Sequence, residues 1–151
     1  MISKILVPTD GSQTAKKSVI YAAGLAKQLD ATIILLSVIE INIGAFFAQT
    51  VSAADSPTHF IEPIEYYLKQ TAEAYLNEAE RICKKHGIQS KKLIRSGHPV
   101  EVILKEALKS KADLIVMGSH GKSALKAAVL GSVTFGVIHK DTKIPVLVVR
   151  K

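Results

Sequence analysis

Apolar positions along the chain follow two periods in turn. Residues 32–38, TIILLSV, form a nearly continuous run rich in β-branched side chains, the mark of a strand buried on both faces. Residues 2–7, 91–95, 112–118 (ADLIVMG) and 144–149 (IPVLVV) read as four further strands. Between them the spacing changes to three and four. Ala15, Val19, Ala22, Ala26 and Leu29 predict a helix capped by Ser12. Ile61, Ile64, Leu68, Ala72, Tyr75, Ala79 and Ile82 predict a long amphipathic helix, with Gly87 placed as its C-terminal cap. Pro99 opens a third helix carrying Val100, Ile103, Leu104, Ala107 and Leu108, and residues 133–139 predict a short fourth. Strands alternate with helices from end to end without an internal repeat. That order specifies one α/β domain over residues 1–151, a Rossmann-like three-layer sandwich whose parallel sheet carries helices on both faces. About residues 42–60, with Gly44 and Pro57, lies the one long connection, expected to be a mobile loop.

Composition narrows the classes. The 151 residues suffice for one domain with a sizeable core. Cys83 is the only cysteine, which excludes an internal disulfide and a multi-thiolate zinc site, and points to a cytoplasmic chain. The N-terminal residues lead straight into a strand and lack a signal-peptide layout. No membrane span is expected, because the best apolar candidate, residues 32–47, is broken by Glu40 and Asn42. The net charge of +7 gathers in residues 81–95, RICKKHGIQSKKLIR, with six Lys/Arg and no acid. Nucleic-acid binding is disfavoured: the chain has no Trp and few aromatics for stacking, and Lys84, Lys85 and His86 suit a helix C-terminus.

Chemistry is expected outside the carboxyl ends of the strands, where strand order switches direction. Two segments fall there, Pro8-Thr9-Asp10-Gly11 and Gly118-Ser119-His120-Gly121. Gly121-Lys122-Ser123 imitates the end of a P-loop, but the required earlier glycine position is Val116, inside the strand. What remains is Gly-x2-Gly-x9-Gly-Ser, made by Gly118, Gly121, Gly131 and Ser132. Gly118 and Gly121 permit close approach of backbone to a ligand. Gly131, Ser132 and Val133 put bare amides at a helix start, where an anion is favoured. Ser132 and Thr134 add hydroxyls, and Lys122 offers a mobile counter-charge. Alternatively, Gly118 and Gly121 only shape a turn and Gly131 only separates two short helices.

KILVPTDGS, ILLSVIE, ADLIVMGSHG and LGSVTFGVIHKDTKIPVLVV, together with the complete glycine pattern, resemble the ATP-binding subgroup of the universal stress proteins. The resemblance implies a five-stranded parallel sheet of order 3-2-1-4-5, of the adenine nucleotide alpha hydrolase-like kind, and a homodimer. It implies Pro8, Thr9 and Asp10 near adenine and ribose, with Asp10 accepting from sugar hydroxyls. Val38 would offer backbone groups to the adenine edge, Met117 would pack on the base and Gly118 would lie by the ribose. Gly121, Gly131, Ser132, Val133 and Thr134 would hold the phosphates of ATP, ADP or AMP, and Mg2+ would be held mainly by phosphate oxygens.

Turnover has little support in the residues, since phosphoryl transfer needs metal-holding carboxylates and Asp10 is the only acid expected at the crevice. His98 and His120 would lie three strand places apart, about 14 Å at ~4.8 Å per strand, too far to share one ion. The chain is therefore expected to be a nucleotide-dependent switch or stress-response regulator with slow ATP hydrolysis at most. The alternative is a dimeric scaffold independent of ATP. Residues 144–149 would be an apolar edge strand, suited to pairing with its twin. An unidentified protein partner would be met at the loop near 42–60.

Overall fold

The computed structural model describes residues 1–41, 58–122, 130–140 and 142–150, with the backbone alone for 58–62. The loop expected near 42–60 therefore falls almost wholly outside the described residues. Strand β1 (Lys4–Pro8) leads to α1 (Gln13–Leu29) and β2 (Thr32–Ile39). Helix α2 (Thr58–Lys85), β3 (Ser90–Ser96) and α3 (Pro99–Lys109) follow, then β4 (Leu114–Gly118), α4 (Ser132–His139) and β5 (Val146–Val149). The strand at 2–7 starts two residues later than its apolar letters suggest and runs on to Pro8; β5 starts at Val146, after Pro145.

All neighbouring strands are parallel and the order is β3-β2-β1-β4-β5. The alternation of side chains along each strand divides the core into two layers. Ile5 and Val7 of β1, Ile33 and Leu35 of β2 and Val116 of β4 face α1 and α2, against Val19, Ala22, Ala26, Leu76 and Ala79. Leu6, Leu36, Ile115 and Met117 face the other way, against Val100, Ile103 and Ala107 of α3 and Val137 of α4. Burying each of the larger aliphatic side chains stabilises the fold by about 1.5–3 kcal/mol. The alanines of α1 let that helix sit close to the sheet.

Helix ends obey local chemistry. Ser12 caps α1, its Oγ accepting from the Ala15 amide at 3.1 Å, and Asp30 closes it in the left-handed conformation with φ 54°. Pro99 opens α3 in the first turn. The C-terminal end of β3 is tied to α3 by Arg95, whose Nε donates to the buried Glu106 carboxylate at 2.8 Å. Among the described residues no helix is long and apolar enough to cross a membrane.

The direction of winding changes at β1. From β1 the chain moves outward through β2 to β3, then α3 carries it back across to β4 on the other side. The loops after β1 and β4 consequently diverge from neighbouring strands and leave a crevice between them.

Candidate functional site

Beyond β1 the Thr9 amide still bonds the Leu36 carbonyl at 2.8 Å, so the chain leaves the sheet only at Asp10. Asp10 then acts as a clamp. Its Oδ1 accepts from the Ser12 amide at 2.9 Å and its Oδ2 from the Lys122 amide at 3.0 Å. One carboxylate thus joins the loop after β1 to the loop after β4. Each oxygen keeps a second lone pair for a ligand hydroxyl.

The loop after β4 is packed by backbone. Gly118 lies against the first turn of α1, where a Cβ would come within 2.9 Å of the Thr14 carbonyl group. The Ser119 amide donates to the Val149 carbonyl at 2.9 Å, and Ser119 Oγ pairs with His120 Nδ1 at 2.9 Å. Gly131, the residue before α4, is extended with φ −71° and ψ 161°, and its amide donates to the Ser119 carbonyl at 2.6 Å. A Cβ at Gly131 would meet backbone atoms of Ser119, His120 and Gly121 at 3.3–3.4 Å.

Two of the donors expected to face an anion are therefore committed elsewhere. The Gly131 amide holds the 119–121 turn, and Thr134 Oγ1 donates to the Gly118 carbonyl at 2.7 Å. The amides of Ser132, Val133 and Thr134 and the exposed Ser132 hydroxyl have no partner among the described residues. They form the first turn of α4, where no intrahelical acceptor exists and the helix dipole presents its positive end.

A crevice of about 240 Å³ runs from this turn to the ends of β1 and β2. Pro8, Thr9, Asp10, Gly118, Gly121, Gly131, Ser132, Val133 and Thr134 line it, and so do Val38 and Met117, which only the family resemblance had named. Its size falls just under the usual range of ~300–1,000 Å³ for small-molecule sites. Lys122 is the exception: it is absent from the lining, and its ammonium hydrogen-bonds Tyr75 Oη, 4.3 Å from the ring centroid. The lining also contains His120, from the segment after β4 expected at the crevice, and Ala15, Leu36, Glu40, Pro99 and Ile103, which the motifs did not single out as site residues. Asp10 is therefore not alone; Glu40 brings a second carboxylate to the rim. Only the inward apolar stripe of α3 and the position of Glu40 just beyond β2 could have signalled these residues in the sequence.

One wall is apolar, from Leu36, Val38, Met117 and Ile103, and the opposite end offers hydrogen-bond donors. Such a cleft suits a flat apolar-faced group joined to an anionic tail. Among the described residues no group of three or more His, Cys, Asp or Glu side chains could hold a metal ion. His98 caps α3 without a side-chain bond, and its strand lies three places from that of His120.

The profile of the Universal stress protein family matches residues 1–150. Universal stress protein MJ0531 of Methanocaldococcus jannaschii is 32% identical over 151 residues, covering 100% of this chain and 84% of the relative. MJ0577 of the same organism is 36% identical over 157 residues, covering 100% of this chain and 96% of its own. The solved structure of MJ0577 aligns with a TM-score of 0.83 at 34% identity, over 100% of this chain and 97% of that one. A universal stress protein in complex with cAMP aligns with a TM-score of 0.70 at 25% identity, covering 99% and 97% of the two chains.

Proposed function

The chain belongs to the universal stress protein family, and from that premise we propose that it is an adenine-nucleotide-binding switch in the stress response. The observation that carries the proposal is the first turn of α4, whose donors open onto the same crevice as an apolar wall. Adenine packs between Val38 and Met117, with Leu36 and Ile103 beneath it. Asp10 accepts from the ribose hydroxyls with the lone pairs its clamp leaves over. The amides of Ser132, Val133 and Thr134 and the Ser132 hydroxyl receive phosphate. The related structure in complex with cAMP supports an adenine nucleotide as the ligand class. ATP is the preferred form in this reading, with hydrolysis slow at most, because both oxygens of Asp10 already hold loop amides. Mg2+ enters with the phosphates, whose oxygens hold it while it keeps most of its waters.

The chain works as a cytoplasmic homodimer in this proposal, paired through residues 144–149. The edge position of β5 and its half-exposed valines support that pairing, and a separate protein partner reads the nucleotide state. Titration calorimetry of the ligand-stripped protein tests the binding. ATP with Mg2+ should bind more tightly than adenosine, and Mg2+ alone should give no heat. Absence of binding by every nucleotide would leave the ATP-independent scaffold as the function.

A further inference from the structure

Lys122 is anchored at both ends by different elements. Its amide is held by Asp10 at the crevice, while its ammonium rests on Tyr75 of α2. Tyr75 is half-buried, and its ring packs on Gly11, which has φ +76° and no room for a Cβ beneath the ring. The nearby carboxylate of Glu78 is paired with Lys16 at 2.6 Å. The charged Lys122 side chain thus has a neutral phenol as its acceptor, and it is exposed. A phosphate oxygen is a stronger partner, because its own negative charge adds ion-pair attraction to a bond that with the phenol is charged on the lysine side alone. Gly121, immediately before Lys122, lines the crevice beside Gly131, whose missing Cβ would lie 3.4 Å from the Gly121 amide nitrogen. Rotation of the flexible four-carbon stem, with the backbone still clamped by Asp10, turns the ammonium toward the start of α4.

We propose that Tyr75 and the outer phosphates of a bound nucleotide compete for the Lys122 ammonium, making this pair the element that discriminates nucleotides by phosphate number. The inference rests on the nucleotide reading of the crevice. A monophosphate seated on the first turn of α4 satisfies the amides there without needing Lys122. A triphosphate extends past them to the mouth, where Lys122 leaves Tyr75 to meet it. Tyr75 is a positioning residue: it touches no ligand, and it sets the cost of recruiting the lysine. Because its ring also packs on Gly11, exchange of the lysine is felt by α2.

Calorimetric titrations with AMP and with ATP, both with Mg2+, compare the unmodified protein with Lys122→Met and Tyr75→Phe. Lys122→Met should weaken ATP about five-fold, the scale of an exposed charge contact, and leave AMP within about two-fold. Tyr75→Phe keeps the ring but removes the acceptor, and should tighten ATP about two-fold without changing AMP. In proteins with ring-labelled tyrosine, ATP but not AMP should shift the Tyr75 resonances, and the shift should vanish in Lys122→Met. An ATP-to-AMP affinity ratio unaltered by Lys122→Met would overturn the inference while leaving the nucleotide site standing. Failure of the unmodified protein to bind either nucleotide would overturn both.

Discussion

Replacing Ser132 by proline separates the anion seat from the fold. Proline is favoured in the first turn of a helix, where the lost N–H has no intrahelical acceptor. The preceding Gly131 is already extended at φ −71° and ψ 161°, the conformation that a following proline demands. Ser132 is exposed, so a pyrrolidine ring meets no packed neighbour. Stability should therefore stay level or rise by up to ~1 kcal/mol through the stiffer unfolded chain. Binding should respond quite differently. A hydrogen bond to a charged group contributes about 1.5–3 kcal/mol, and the open crevice mouth argues for the lower end. Losing the amide at about 1.5 kcal/mol and the hydroxyl at about 0.5 kcal/mol gives about 2 kcal/mol, or roughly thirty-fold weaker ATP.

Calorimetry against ATP and adenosine, with a thermal melt of each protein, reads both quantities. Adenosine affinity should be unchanged, since the base and ribose contacts lie at the other end. Ser132→Ala removes the hydroxyl alone and should cost only about two- to three-fold. If Ser132→Pro melts like the unmodified protein and binds ATP just as tightly, the phosphates do not sit on α4 and the assignment of that turn is refuted.

Two further outcomes test other parts of the molecule. Val148→Lys puts a charge on the strand at the sheet edge, and sedimentation should then show monomers if the proposed pairing of this strand with its twin holds; an unmodified protein that sediments as a dimer beside an equally dimeric variant would assign assembly to another face. Asp113 accepts from the Ser3 and Lys4 amides at 2.9 and 3.0 Å and from Ser3 Oγ at 3.0 Å, and these bonds hold its carboxyl below the usual carboxylate range. Its folded form therefore binds protons more weakly than the unfolded chain. The stability it adds is present above about pH 4 and drains as pH falls through the lower folded value. Urea denaturation of Asp113→Asn should lose that part of the acid slope, and an unaltered slope would rule the contribution out.

How far the sequence reaches can be judged residue by residue. The period change from 32–38 to the helices on either side marked the layers, because burial on both faces makes a central strand a nearly continuous apolar run, here interrupted only by the buried Ser37. The two loops at the switch point were legible for the same reason: glycine, proline and aspartate interrupt the pattern there. The order of the strands came through likeness to a family, since local periodicity carries no information about which strand lies beside which. Glu40 and Ile103 were not legible as site residues. Glu40 follows β2 like any polar strand end, and Ile103 looks like any core position of α3 until the sheet brings both to one crevice. For Lys122 the sequence placed the backbone and not the resting contact of the side chain. Its neighbours in sequence place its backbone at the site, yet its side chain answers to Tyr75, which lies 47 residues away along the chain.

The glycine pattern admitted a structural and a ligand-holding explanation, and the fold uses only some of the atoms that the pattern brings together. The absent Cβ atoms at Gly118 and Gly131 are demanded by Thr14 and by the 119–121 turn. The Gly131 amide and the Thr134 hydroxyl complete that turn. None of this requires the amides of residues 132–134 to point into a cleft, and the fold makes no use of them among the described residues. A valine at Gly131 would press on the turn and weaken any ligand through the fold, so its effect could not tell the two explanations apart. Proline at Ser132 removes a donor that the fold does not use among the described residues. The distinction between a scaffold and a nucleotide switch therefore rests on the first turn of α4, and the glycines beside it are its support.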